Sequence, residues 1–129
     1  MRTAPRLLTG STLALALLAL APAARADGDP AKGETLFRQC KACHATEAGK
    51  NRVGPTLHGL FGRKAGAVES FAGYSAGLKA SGIVWDAATL DPYLADPRQV
   101  VADSRMVFAG MAKPEDRADL IAYLRNATR

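Results

Sequence analysis

The pentapeptide Cys40-Lys41-Ala42-Cys43-His44 constrains this chain more than any other segment, because it holds both of the 2 cysteines present. Cys-x-x-Cys followed directly by His is the attachment pattern for c-type haem. On a terminal helical turn the sulfurs at i and i+3 fall on one side, where both can add to the vinyl groups of a flat porphyrin. The next residue then turns its imidazole toward the iron. Three other readings fit less well. A thioredoxin-like redox pair needs a strand before the motif and a long helix after it, whereas here a helical pattern precedes and glycine-rich sequence follows. A zinc site needs four ligands, and beyond this triplet the chain offers only His58 and carboxylates. Two inert buried cysteines leave the adjacent histidine without a role.

An export segment agrees with this chemistry, since covalent haem c is attached outside the cytoplasm in bacteria. Arg2 and Arg6 give a positive start, Leu13 to Ala21 is uninterrupted apolar sequence, and Pro22 precedes the small-residue site Ala24-Arg25-Ala26. Residues 1–26 therefore read as a cleavable signal peptide. The apolar run is too short to span a bilayer, which takes about 20 residues. A retained amphiphilic anchor is the alternative, but no second apolar segment follows, so no stable membrane insertion is expected after cleavage. Residues 27–129 are then one monohaem domain. The 17 basic and 12 acidic residues give a net +5. Three of the basic residues and none of the acidic ones lie in the leader, so the mature domain carries +2. With no Lys/Arg-rich run or basic stripe either, nucleic acid is an unsuitable partner. Aromatics make up 6% of the chain, leaving the middle of the core for something other than aromatic side chains.

Asp29 can cap and Pro30 can open a first helix, with Gly33, Leu36, Phe37 and Cys40 at helical spacing, predicting a helix from Pro30 to about Lys41. Most of the 12 glycines fall between Ala45 and Ile83. That stretch reads as turns and loops, with at most a short helix near Ala72 to Lys79, and it needs a partner to organise it. Asp86 can cap a further helix through Leu90, Tyr93 and Leu94 that ends before Pro97. Pro92 inside it predicts either a kink or a restart capped by Asp91. Pro114 opens the last helix, with Glu115 and Asp116 in its first turn and Leu120, Ile121, Tyr123 and Leu124 as its buried stripe. The expected fold is all-α, three to five helices and loops wrapped around one haem.

The sixth iron position falls to Met106, Met111, His58, water or substrate. Thioether sulfur is a soft ligand, and Met/His ligation raises the reduction potential. Met106 sits in a loop-like segment, Asp103 to Gly110, that can fold over the second haem face, and it is the expected ligand. Met111 lies at the approach to the last helix and reads as core filler.

Beyond the attachment motif, the chain carries Gly54-Pro55-Thr56-Leu57-His58-Gly59-Leu60-Phe61-Gly62-Arg63-Lys64, Trp85, Tyr93-Leu94, Met106 with its flanks, and Asp119-Leu120-Ile121-Ala122-Tyr123-Leu124. On these residues it resembles the class I c-type cytochromes, close to bacterial cytochromes c2 and mitochondrial cytochrome c, over nearly all of Gly28 to Arg129. The resemblance implies the cytochrome c fold, with His44 and Met106 as axial ligands and Pro55 offering its carbonyl to the unligated nitrogen of His44. It also implies that Trp85, Tyr74 and Arg63 hold the inward haem propionates, and that Tyr93 lies near the methionine sulfur. Gly33 and Phe37 would meet Leu120 and Tyr123 where the first and last helices cross. For Trp85, Tyr93 and Phe37, plain hydrophobic packing is the alternative role. Three positions depart from the pattern: Leu78 replaces a polar residue near the propionate, Ser104 a threonine beside the methionine, and Ala102 a proline in its loop. The last two put the rigidity of that loop in question.

An iron held on both sides has no vacant position, yet it can change charge. The expected function is a soluble one-electron carrier and not an enzyme, a periplasmic monomer docking transiently at its exposed haem edge. The resemblance implies a bc1-type donor and an oxidase or photosynthetic reaction centre as acceptor. A dedicated acceptor or subunit of a periplasmic dehydrogenase shares this chemistry. A haem peroxidase or gas sensor would need Met106 to dissociate and lacks an obvious distal acid/base pair. With both propionates ionised, the +2 domain becomes neutral when ferrous and +1 when ferric, so any steering must come from charge asymmetry. Arg52, Arg98, Arg105 and Lys113 match basic positions around the haem edge of related proteins, whereas Glu34, Gln39, Gln99 and Ala112 occupy others without positive charge.

Overall fold

Asp29 starts the first helix, α1 (Pro30–Phe37), by accepting the N–H groups of Ala31 at 2.9 Å and Lys32 at 3.4 Å, while Pro30 needs no partner there. A computed structural model describes residues 27–129, and the leader expected over 1–26 lies outside them. The α-helix closes at Phe37, short of Lys41, and the chain tightens into one 3₁₀ turn over Cys40–Ala42. Such tightening is a common way to satisfy the last carbonyls of a helix.

From Ala45 to Ser75 the backbone runs through turns, and the sole β pairing among the described residues is an isolated antiparallel bridge between Lys64 and Val84. Around it Ala65 N–H donates to Ile83 O at 2.8 Å and Trp85 N–H to Arg63 O at 3.0 Å. Helix α2 (Ala76–Ala80) follows, capped by the Ser75 hydroxyl. Helix α3 (Ala87–Ala95) begins in a capping box, in which Asp86 accepts the Thr89 N–H and Thr89 Oγ1 accepts the Asp86 N–H. Pro92 is absorbed within α3 and no restart occurs at Asp91. Asp96-Pro97 then opens a further short helix, α4 (Pro97–Val100), that the sequence reading treats only as a stop. A loop over 101–113 leads to α5 (Pro114–Ala127), the longest helix among the described residues.

Helices α1 and α5 form the main packing pair. Phe37 and Leu120 are almost fully buried at their crossing, and the Phe37 and Tyr123 rings lie 5.2 Å apart. Gly33 makes the approach possible, because a Cβ there would stand 2.0 Å from the Asp119 carbonyl oxygen. The core continues through Leu60, Trp85, Leu90, Tyr93, Leu94 and Met111, with half-buried Cys40, Leu57, Leu78 and Met106 packed along it. Among the described residues no helix is long and apolar enough to cross a membrane.

Candidate haem site

The turn after α1 brings the attachment residues together. Cys43 N–H donates to Cys40 O at 3.1 Å and His44 N–H to the same oxygen at 2.9 Å, so both thiols and the imidazole project from one tight turn. The two cysteines are unbridged and half-buried. Burial, and then the neighbouring Cys43, push the Cys40 thiol up to about 11. A thiol so disfavoured as thiolate is the reverse of the acidic cysteine of a redox Cys-x-x-Cys pair. Among the described residues no three Cys, His, Asp or Glu side chains converge as they would around a bare metal ion.

His44 is oriented by Pro55, whose carbonyl oxygen lies 2.8 Å from Nδ1. A carbonyl can only accept, so Nδ1 carries the hydrogen and Nε2 of the neutral ring keeps its lone pair, the form a metal requires. Burial lowers the pKa of His44, with the Pro55 contact opposing and Arg63 adding a smaller push in the same direction as burial. Gly54 clears the space: a Cβ at this position would stand 2.4 Å from the imidazole Cε1.

The turn carrying Pro55 is built by Thr56, which the sequence reading passes over. Its N–H donates to Asn51 Oδ1 at 3.0 Å, and its hydroxyl donates to Glu47 O at 2.6 Å while accepting from His58 N–H at 3.1 Å. The polar residue after Gly-Pro, itself buried, was the available signal. The Thr56 carbonyl in turn accepts from Arg63 Nη2 at 3.0 Å, and the His58 carbonyl from Nη1 at 2.7 Å. Nε of Arg63 is buried without a partner. Burial lowers the Arg63 pKa, which nearby Tyr74 partly counters. A buried cationic donor left open is what a carboxylate would satisfy, so the residues present fit a haem bearing propionates.

Trp85 is buried with its ring 4.9 Å from that of Tyr93, and half-buried Tyr74 packs edge-on to Phe71 and accepts the Val68 N–H at 3.3 Å. Met106 is half-buried in the 101–113 loop, whereas Met111 is enclosed in the core, its N–H donating to Leu94 O at 2.8 Å. The Tyr93 hydroxyl lies 3.4 Å from Ser104 Oγ, two residues before Met106, and burial raises its pKa. His58 is exposed and contributes its carbonyl to Arg63. Leu78 packs against the core, so the polar group usual at that place is replaced by apolar contact. Arg52, Arg98, Arg105 and Lys113 are all exposed.

The cytochrome c family model matches residues 30–128. Cytochrome c2 from Rhodomicrobium vannielii is 48% identical over 110 residues, covering 84% of this chain and 87% of that protein. Cytochrome c2 iso-2 from Magnetospirillum fulvum is 50% identical over 101 residues, covering 78% and 99% respectively. Cytochrome c from Chlamydomonas reinhardtii is 48% identical over 103 residues, covering 78% and 91%. With the attachment turn, the oriented imidazole and the open arginine in place, the chain belongs to the cytochrome c family, carrying one haem c on Cys40 and Cys43 and transferring electrons with it.

Proposed function

We propose that this chain shuttles single electrons between redox complexes of the bacterial periplasm, with His44 and Met106 as the two axial ligands of its iron. The observation that carries the reading is the 2.8 Å contact of His44 Nδ1 with Pro55 O, which leaves Nε2 free one residue past the attachment cysteines. Haem c supplies a one-electron ferric/ferrous couple. Cys40 and Cys43 would hold the haem through thioethers, each made by adding S–H across a vinyl group, so that the S–H and C=C π bonds would break, C–S and C–H bonds would form and no electrons would be lost. Met106 would hold the iron through its thioether, a soft ligand that favours the ferrous state. An iron held by both His44 and Met106 would offer small molecules no vacant site, which suits a carrier and not an enzyme.

Arg63 Nε, with Trp85 and Tyr74, would hold propionate oxygens inside the protein, excluding water from them. Tyr93 restrains the methionine loop through Ser104. Docking is transient and occurs at the exposed haem edge, flanked by Arg52, Arg98, Arg105 and Lys113. A bc1-type complex is the proposed donor and an oxidase or photosynthetic reaction centre the proposed acceptor. Export through residues 1–26, removed as a signal peptide, places the monomeric 27–129 domain there.

The test is spectroscopic. The ferric protein should show the weak far-red band of sulfur bound to iron, and Met106→Ala should abolish it while Met111→Ala retains it. The reverse pattern, or free binding of carbon monoxide to the native ferrous protein, overturns the assignment.

A further inference from the structure

The loop over 101–113 carries Met106 between two polar attachments. At its far end Arg117, buried in α5, donates through Nη1 to Met111 O at 2.7 Å and Ala112 O at 3.1 Å, and through Nε to Asp91 Oδ1 at 2.8 Å. That end is therefore fixed to α3 and α5. The near end follows α4 with Ala102, which imposes no φ restraint of the kind proline would. Here Asp103 reaches across 26 residues, its Oδ2 accepting the Gly77 N–H at 2.9 Å.

Gly77 permits the closeness, since a Cβ there would stand 2.2 Å from Asp103 Oδ1. The Ser75 hydroxyl, which accepts the Leu78 N–H at 3.1 Å, also faces the Asp103 carboxylate. These two donors, Gly77 first and Ser75 second, hold the Asp103 carboxyl below the usual carboxylate range, with Arg105 adding a smaller push in the same direction. Among the described residues α2 packs against no other helix. Between α2 and the loop lies an open cleft of about 580 Å³, lined by Gly77, Ser81, Ile83, Val100, Val101 and Asp103. The Asp103 contacts thus strap a cleft that apolar packing leaves open.

We propose that Asp103 is a positioning residue for the Met106 thioether: its carboxylate ties the near end of the methionine loop to the start of α2 and so suppresses the opening that lets another ligand replace sulfur on the iron. The inference rests on Met106 being the sixth ligand. Tethering at both ends, Asp103 on one side and Arg117 on the other, leaves Met106 on a short span that cannot swing outward unless one attachment breaks.

The test uses the ferric holoprotein and imidazole as the competing ligand, with the far-red band reporting bound sulfur. Asp103→Ala should let imidazole displace Met106 at about tenfold lower concentration and correspondingly faster, because a broken charge-assisted contact raises the open population. Asp103→Asn keeps an oxygen that can accept from Gly77, so it should fall between Ala and the native protein while preserving the fold. Asp86→Ala, which removes a carboxylate cap from α3 away from the loop, should leave the imidazole midpoint unchanged. Equal shifts in Asp103→Ala and Asp86→Ala, or none in Asp103→Ala, overturn the proposal. Met106→Ala separates this from the ligand assignment: a band that survives that substitution sinks the assignment and the strap with it, whereas its loss beside an unshifted Asp103→Ala sinks the strap alone.

Discussion

His44 Nδ1 and the Pro55 carbonyl oxygen stand 2.8 Å apart across 11 residues, and this contact decides which imidazole nitrogen keeps its lone pair. Gly54 keeps the contact possible, since an added Cβ would lie 2.4 Å from Cε1 of the ring. Gly54→Ala should push the imidazole off its axis and destabilise the folded holoprotein by about 1–3 kcal/mol, the usual cost of overpacking a close site. Denaturant unfolding followed by haem absorbance measures this. A midpoint within error of the native protein would show that the ring has slack the geometry denies it.

Arg63 gives a second, electronic prediction. Two of its nitrogens hold the carbonyls of Thr56 and His58, and Nε is buried without a partner. If Arg63 holds a propionate as proposed, its charge opposes the extra positive charge of ferric iron, so removing it would stabilise the ferric state and lower the reduction potential. Arg63→Ala should lower it by on the order of tens of millivolts, the scale of one partly screened charge at several ångströms. Arg63→Lys should lower it less, because charge is kept while the planar fork is lost. An unchanged potential in both variants would reduce Arg63 to a brace for the Thr56 turn.

The attachment motif and the two terminal helices were legible because each is written locally. Cys40 to His44 is a contiguous motif, Asp29-Pro30 is a cap followed by proline, and the stripe from Leu120 to Leu124 repeats at helical spacing. Other features depend on contacts distant in sequence. Asp91 reads as a possible cap, yet its carboxylate accepts from Arg117 of α5, and α3 passes through Pro92 without restarting. The Lys64 to Val84 bridge joins segments 20 residues apart with no alternating pattern to announce it. Helix α4 had a signal that was overlooked, for Asp96-Pro97 repeats the start of α1. Asp103 was invisible for a different reason: a carboxylate in a loop acquires meaning only once Gly77 is found beside it.

The helix crossing yields a stability prediction independent of the iron. A Cβ on Gly33 would meet the Asp119 carbonyl oxygen at 2.0 Å and Tyr123 Cβ at 2.7 Å, and both belong to α5 and cannot yield without moving the helix. Gly33→Ala should therefore separate α1 from α5 and cost about 1–3 kcal/mol or more, outweighing the gain in helix propensity of about 1 kcal/mol. Thermal unfolding measures it. The far-red band of the folded fraction should persist, since the crossing lies away from Met106 in the chain.

Acid should weaken the fold partly through Asp86. Its carboxyl is held below the usual carboxylate range, chiefly by the Thr89 backbone N–H and then by the Thr89 hydroxyl. With the folded pKa below the unfolded one, the contribution is complete above the unfolded value of about 4 and is lost as pH falls through the folded value. Asp86→Asn should lower the melting temperature at pH 6, and the gap to the native protein should narrow as pH falls through the folded value and the native carboxylate takes up its proton. Parallel melting curves at all pH values would show that the cap does not titrate with folding.

Charge steering is the last prediction, and it follows from how little net charge the domain carries. At neutral or +1 overall, the molecule has no monopole strong enough to draw an anionic partner, so attraction must arise from the local placement of Arg52, Arg98, Arg105 and Lys113. Ferricyanide, a small trianionic oxidant, probes that placement directly. Its second-order rate with the ferrous protein should fall as ionic strength rises and the Debye length shortens from about 30 Å at 0.01 M to about 8 Å at 0.15 M. Arg98→Glu and Arg105→Glu should each slow the reaction several-fold at low salt and converge on the native rate at high salt. If either reversal leaves the low-salt rate unchanged, that arginine serves only to solvate the surface, and docking relies on the remaining three cations and on apolar contact, for which fully exposed Val107 beside Met106 is the first residue to substitute.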